Sequence, residues 1–346
     1  MQTAADKPVN TTSSKPAVRS KSPVFVLGCP RSGTTVLYHM LLSAGNFAVY
    51  RAESNVFSVL QPRFGDLRSE RNRRNLMRYW LRSKLFRVSG LEAEAIQEKI
   101  LRDGHGAGGF LRILMEEAAR LQGVERWADC TPDHLLYMRE IKREIPDALF
   151  VHIIRDGRDV ALSYAKQGWS YPFPWDHNQQ VAVAGLYWEW IVSKGRVFGR
   201  ALARDYYELH YEDLVETPRE TLRGLGDFVG QELDYDRIQQ VGIGSVHEPN
   251  SSFATGPGGS FHPVRRWAEQ MSSEQLASFE ALVGDFLREL GYPLSTNSKS
   301  NFREERLRWT YLRWFETRHL LKSRTILGRL SSIDRMGIEE AHQTRA

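Results

Sequence analysis

Residues 23–35, Pro23-Val24-Phe25-Val26-Leu27-Gly28-Cys29-Pro30-Arg31-Ser32-Gly33-Thr34-Thr35, decide the fold. Val24 to Leu27 is an unbroken β-branched, aromatic and aliphatic run between Pro23 and Gly28, the pattern of a strand buried on both faces. A Gly/Pro/Ser turn follows, and Thr35 to Ser43 (TVLYHMLLS) reads as a helix. Glycines in such a turn let successive N–H groups point inward, and the helix N-terminus adds partial positive charge, so strand, turn and helix together make an anion cradle. The Arg31 guanidinium and the hydroxyls of Ser32, Thr34 and Thr35 add donors.

A second strand-turn-helix lies at 148–166, with ALFVHII as a buried strand, RDGR as a turn and DVALSYAK as a helix that Asp159 would cap. Helical segments are expected near 66–88, 91–102, 108–122, 133–144, 176–203 and 218–229, with a long Gly/Ser/Pro-rich loop over 242–263. A further amphipathic helix spans 272–290 and ends at Gly291-Tyr292-Pro293. Strands alternating with helices predict an α/β fold, one parallel sheet flanked by helices, with ligands beyond the carboxyl ends of the strands. Residues 1–22, rich in Ser, Thr, Lys and Pro, read as a flexible leader. We expect one domain over 23–295, then over 296–346 a linker and a basic amphipathic helix.

Composition excludes several classes. The 346 residues are 41% hydrophobic, enough for a real core. Cys29 and Cys130 are the only cysteines, so the sequence offers neither a disulfide framework nor a metal ligand pair. The net charge of +5 favours anionic ligands. Nine Lys/Arg against two acids crowd into Arg63 to Arg87. No run approaches the roughly 18 apolar residues of a membrane span, and the N-terminus lacks a signal-like apolar core, so the expectation is a soluble, cytoplasmic protein.

Gly28 to Thr35 has the spacing of a P-loop, but Thr34 stands where a nucleotide triphosphatase has lysine, and no convincing acidic metal ligand follows a hydrophobic strand. A kinase or triphosphatase is therefore disfavoured. The PRSGTT turn after a strand instead resembles the 5′-phosphosulfate loop of sulfotransferases that use 3′-phosphoadenosine 5′-phosphosulfate (PAPS). Val151 to Tyr164 (VHIIRDGRDVALSY) is similar to that family's 3′-phosphate motif, a strand ending in Arg155 with Ser163 eight residues on. Arginine at a strand end offers a planar fork of donors, and a serine near the start of the helix adds a hydroxyl. The competing local reading pairs Arg155 with Asp156 or Asp159. Tyr211, in HYEDLV, resembles the family's tyrosine near the adenine, and is otherwise a core aromatic. Arg265 and Arg266, before Trp267, resemble the late basic segment that closes over the 3′-phosphate.

The resemblance implies a P-loop-like three-layer architecture, PAPS as donor, adenosine 3′,5′-bisphosphate (PAP) as product and no required metal. Ser32, Gly33, Thr34 and Thr35 would hold the 5′-phosphate with Arg31, which also has a catalytic role, and Arg155, Ser163, Tyr211, Arg265 and Arg266 the rest of the nucleotide. Relatives acting on protein tyrosine and on carbohydrates use an acidic base after the first helix, which points to Glu53 in Arg51-Ala52-Glu53-Ser54-Asn55. Another branch uses histidine, leaving His105 and His134 as rivals. The sequence departs from the family at Cys130, where many relatives carry lysine before the Thr-Pro pair. The acceptor, a carbohydrate, phenol or other small molecule, is left open. Trp169 to Trp175 and the basic stretch 63–87 are candidates to line its cleft. No nucleic-acid reader motif is present. The last helix, Asn301 to Leu330, carries eight Lys/Arg against three Glu with interleaved aromatics. That pattern suits a membrane surface, a dimer mate, or a helix lying along its own domain.

Overall fold

The fold is that of a computed structural model describing residues 19–241, 263–298, 300–331 and 333. Strands β1 (Val24–Leu27), β2 (Ala128–Asp129), β3 (Leu149–Ile154) and β4 (Tyr206–His210) form one parallel sheet in the order β2-β1-β3-β4. Leu27 pairs with His152, so β3 runs two residues past β1 at the carboxyl edge.

Successive strand side chains point to opposite faces. Phe25, Leu27, Phe150 and Ile154 accordingly join one hydrophobic core, while Val24, Val26, Leu149, Val151 and Ile153 join another. Every residue of β1 and β3 is buried, which demands helices on both faces. Helices Thr34–Ser43 and Pro218–Val229 supply one layer, through Leu37, Leu41, Leu222 and Leu225. Helices Gly106–Leu121, Gly157–Lys166 and Gln180–Leu202 supply the other, through Phe110, Val160 and Trp188. The single parallel sheet between helical layers is the expected α/β architecture.

Local departures from the sequence reading have local causes. The segment expected as one helix over 66–88 is two, Glu70–Trp80 and Lys84–Ser89, because the Ser83 hydroxyl accepts from the Phe86 amide and restarts the helix. The helix after β3 begins at Gly157, so its cap is Asp156, whose carboxylate accepts from the Arg158 amide, and not Asp159. The segment 133–144 opens as a 3-10 turn, Pro132–Tyr137, before an α-helix, Met138–Glu144. Arg19 to Ser22 already pack on the body: Arg126 donates to the carbonyls of Ser22 at 2.6 Å, Arg19 at 2.9 Å and Val229 at 2.9 Å. Of the leader and the long loop, residues 1–18 and 242–262 lie outside the described residues.

The last helix, Phe302–Arg324, opens on a capping box of Asn301 and Glu304 and lies along its own domain. Glu316 accepts from Lys194 at 2.8 Å and from the Trp190 indole at 3.1 Å, and Arg308 pairs with Glu189. A second fastening is buried. Arg158 donates to Asp156 at 2.8 Å, Glu280 at 2.7 Å and the Pro293 carbonyl at 3.0 Å, with its guanidinium 3.8 Å above the Trp267 ring. The Glu280 carboxylate also accepts from the Ser295 and Thr296 amides. Removing one partner of such a cluster strands the others without water, so Glu280→Ala is expected to lower stability by about 3 kcal/mol in urea unfolding. A change below about 0.5 kcal/mol, the range of ordinary surface substitutions, would show that the cluster does not fasten the helices.

Candidate active site

At the carboxyl edge of β1 the chain turns through Gly28 to Gly33 into helix Thr34–Ser43. Arg31 and Gly33 both adopt left-handed backbone, with φ of 77° and 95°. A side chain at Gly33 would collide with the Tyr211 ring, so glycine is required there twice over. The Ser32 amide closes the turn onto the Cys29 carbonyl at 3.0 Å. The cradle's amides are therefore those of Gly33, Thr34 and Thr35 at the helix start, one fewer than the sequence suggests.

Residues 124 positions apart meet here: Arg155, at the end of β3, donates from Nη1 to the Arg31 carbonyl at 3.2 Å. Arg31 in turn donates from Nε to the Ser163 hydroxyl at 2.9 Å. Two guanidinium groups and a hydroxyl thus converge beside a helix N-terminus, with Arg155 and Ser32 buried. Burial, and then the charge of Arg155, push the Arg31 pKa below the usual arginine value. Among the described residues, the buried Ser32 Oγ and Arg155 Nε have no hydrogen-bond partner. Uncompensated donors around neighbouring cations are the arrangement an anionic ligand satisfies.

Arg155 is steered from several sides. Its Nη2 donates to the Pro263 carbonyl at 2.6 Å and lies 3.5 Å from Asp159, its Cζ sits 4.5 Å from the Tyr211 ring centroid, and its carbonyl accepts from the Trp188 indole at 3.1 Å. Asp159, which sequence reasoning treated only as a cap or local ion partner, accepts from the amides of Arg265 at 3.0 Å and Trp267 at 2.9 Å. It therefore ties the late basic segment to the strand-end arginine. Its place four residues after Arg155, in the first turn of the helix that follows, was the available signal. The Arg265 side chain is exposed and Arg266 half-buried. Tyr211 is fully buried, its ring edge against Gly33 and its face beneath Arg155. Behind it, Glu212 accepts from the Asp156 amide at 3.0 Å and the Tyr292 hydroxyl at 2.9 Å, and burial pushes its pKa up to about 7.

Glu53 is exposed in a loop anchored below it: the Asn55 amide donates to the Thr131 hydroxyl at 3.3 Å, and that hydroxyl donates to Asp129 at 3.2 Å. Cys130 feels the charge of Glu53 and meets the Thr34 side chain. Burial, then the charges of Asp129 and Glu53, push its thiol well up, while a hydrogen bond with the Thr34 side chain acts the other way. A neutral thiol thus faces the Thr34 hydroxyl.

The two rival histidines lie in different surroundings. His134 is fully buried, with Nε2 accepting from the Phe57 amide at 3.1 Å and Nδ1 on Asp129 at 2.9 Å, so both nitrogens are engaged. His105 is exposed at the start of helix Gly106–Leu121. There the Gly108 amide bonds Glu144, which precedes β3, placing His105 at the opposite edge of the sheet. His152 is buried against the Tyr206 hydroxyl at 2.6 Å, and burial drives its pKa down to about 3. Among the described residues no three His, Cys, Asp or Glu side chains gather to hold a metal, and no helix is long and apolar enough to cross a membrane.

Comparison with known proteins bears on the family and the fold. The sulfotransferase domain of the Synechococcus PCC 7002 olefin synthase superposes with a TM-score of 0.53 at 18% identity, covering 79% of this chain and 95% of that one. The sulfotransferase domain of the curacin biosynthetic pathway gives 0.48 at 16% identity, covering 78% and 98%. An uncharacterized protein of Aquifex aeolicus is 28% identical over 216 residues, 60% of this chain but only 25% of that protein's length. A family model described as "Sulfotransferase family" matches residues 23–235, from the first residue before β1 to the segment beyond β4, and the chain belongs to that family.

Proposed function

We propose that the protein transfers a sulfuryl group from PAPS to an acceptor hydroxyl, releasing PAP. The observation that carries this reading is the convergence of Arg31, Arg155 and Ser163 at the ends of β1 and β3, where two neighbouring phosphate groups of one nucleotide would be held at once. PAPS supplies an activated sulfuryl group. The Gly33, Thr34 and Thr35 amides, with the Ser32 and Thr34 hydroxyls, hold its 5′-phosphate. Arg155 and Ser163 hold the 3′-phosphate, Arg265 and Arg266 close over it, and Tyr211 supports the adenine side from beneath Arg155.

In the transfer a bond forms between the acceptor oxygen and sulfur while the bond from sulfur to the 5′-phosphate oxygen breaks. Arg31 stabilises the charge that grows on that leaving oxygen. Glu53 accepts the acceptor's hydroxyl proton. Its exposed carboxylate beside Cys130 and the Thr34 side chain supports this role, as does the commitment of both His134 nitrogens. With Cys130 neutral, Arg31 and the Thr34 hydroxyl take over stabilisation of the sulfuryl oxygens.

Calorimetry with PAP, ATP and adenosine 5′-monophosphate, without added metal, is expected to show tight binding of PAP alone. Arg155→Ala removes charged donors and is expected to weaken PAP binding by about 2 kcal/mol, roughly 30-fold, and Ser163→Ala by about tenfold. Unchanged affinity in both would sink the 3′-phosphate assignment. Glu53→Ala and Glu53→Gln should bind PAP as the parent does, yet turn over an accepted substrate about 10² to 10⁴-fold more slowly. If the parent rate persists in either, the proton goes elsewhere.

A further inference from the structure

The domain covers only one side of its last helix. We propose that the outward face of helix Phe302–Arg324, with the loop packed beside it, docks the protein on an anionic lipid membrane.

The outline of the surface comes from what the fold leaves uncovered. Fourteen large hydrophobic side chains are exposed among the described residues, and ten of them fall within 169–175 or 302–330. A confinement of that kind differs from the single, scattered apolar residues of an ordinary surface. In the helix, Tyr311 and Phe315 are buried against the domain. Phe302, Arg306, Trp309 and Arg313 follow one another at steps of four, three and four residues, which places them on the opposite face. Phe302 is 79% and Trp309 65% exposed there. Beside this stripe the Phe173 ring packs on Tyr311 at 5.0 Å and Trp314 at 5.5 Å, and stacks on Trp175 at 4.9 Å. The Phe173 amide donates to the Tyr311 hydroxyl at 2.7 Å, so the loop is pinned to the helix. It holds Trp175, 73% exposed, on the groove that Phe302 also borders. After the helix, the 3-10 turn Ile326–Leu330 exposes Ile326, Leu327 and Leu330.

The charge of the surface selects its partner. The ion pairs of this helix, Arg308 with Glu189 and Glu316 with Lys194, are made with helix Gln180–Leu202 of the domain. Arg303, Arg306, Arg313, Arg318 and Arg324 are exposed and have no carboxylate partner among the described residues. Of the three acids in the helix only Glu305 is exposed, because Glu304 is held in the capping box and Glu316 by Lys194. A second copy of the chain, joined through the same patch, would press two arginine-rich faces together. A nucleic acid would supply phosphates and stacking bases but nothing for Ile326, Leu327 and Leu330. An anionic bilayer meets both demands. Its phosphates attract the guanidinium groups, tryptophan and phenylalanine rings settle at the headgroup level, and the aliphatic side chains reach the acyl boundary.

The test sediments the full chain with vesicles of phosphatidylcholine alone or mixed with phosphatidylglycerol, beside analytical ultracentrifugation of the protein without lipid. We expect binding to the mixed vesicles only, weakening as salt is raised. Arg306→Ala combined with Arg313→Ala should weaken it about 25-fold, because each cation near an anionic surface strengthens binding about fivefold. Trp309→Ser, which takes one ring out of the boundary, should weaken it about tenfold. These side chains are exposed, so the thermal unfolding midpoint should stay at the parent value. Phe302→Ser reads the same face if Trp309→Ser lowers that midpoint. Binding to neither vesicle, equal binding to both, or binding unchanged in the folded variants overturns the inference. A parent dimer that Trp309→Ser converts to a monomer puts a second copy on this face and overturns it as well.

Discussion

Everything in this protein's candidate site depends on holding two arginines close together at the carboxyl edge of a parallel sheet. Arg31 sits in a turn with left-handed backbone, and Arg155 follows the last residue of β3. Burial, and then repulsion from the like charge of Arg155, drive the Arg31 pKa down. The fold meets that cost with rigid neighbours. Tyr211 lies under Arg155 and wedges against Gly33, while the Arg155 side chain donates to the Arg31 and Pro263 carbonyls, which are neutral acceptors. Neutral acceptors orient a guanidinium without cancelling its charge. The cluster is thus left electropositive, the condition for binding a polyanion.

Asp159 shows how the arrangement is kept from collapsing into a simple ion pair. Its Oδ2 lies 3.5 Å from Arg155, but both of its oxygens also accept shorter bonds from the amides of Arg265 and Trp267. Burial pushes its pKa up, the Arg155 charge and those amides work against that rise, and the net direction is upward. The carboxylate serves chiefly as a bracket for the segment that crosses the strand end. Arg158, one residue earlier, takes the true ion pairs with Asp156 and Glu280. Two neighbouring arginines on one turn are thereby divided, Arg158 held in short ion pairs that fasten helices and Arg155 in a single longer pair with Asp159 at 3.5 Å.

Much of this was legible in the chain, because β1 and β3 are short, wholly buried strands whose apolar runs end in glycine- and arginine-rich turns. Period-two burial on both faces leaves a plain signal in VFVL and LFVHII. β4 gives no such signal: Tyr206, Tyr207, Glu208 and His210 are only half-buried, and the strand was missed as a result. β2 was missed because two residues cannot show a period. The break at Ser83 and the cap at Asp156 hinge on single side-chain hydrogen bonds, which propensity does not register. The placement of His105 at the far edge, and the engagement of both His134 nitrogens, depend on contacts across 36 and 77 positions. Sequence spacing could nominate these histidines but not show what surrounds each.

Within the proposed reaction the thiol at Cys130 then acquires a physical sense. A lysine beside Glu53 and Asp129 would form an ion pair with one of them and lower its proton affinity. A neutral thiol, its pKa held up by burial and then by the charges of Asp129 and Glu53, adds no cation there. In the proposed reaction the positive charge is carried instead by Arg31, in the turn after β1. Separating a cation from a proton acceptor in this way would keep the two from neutralising each other.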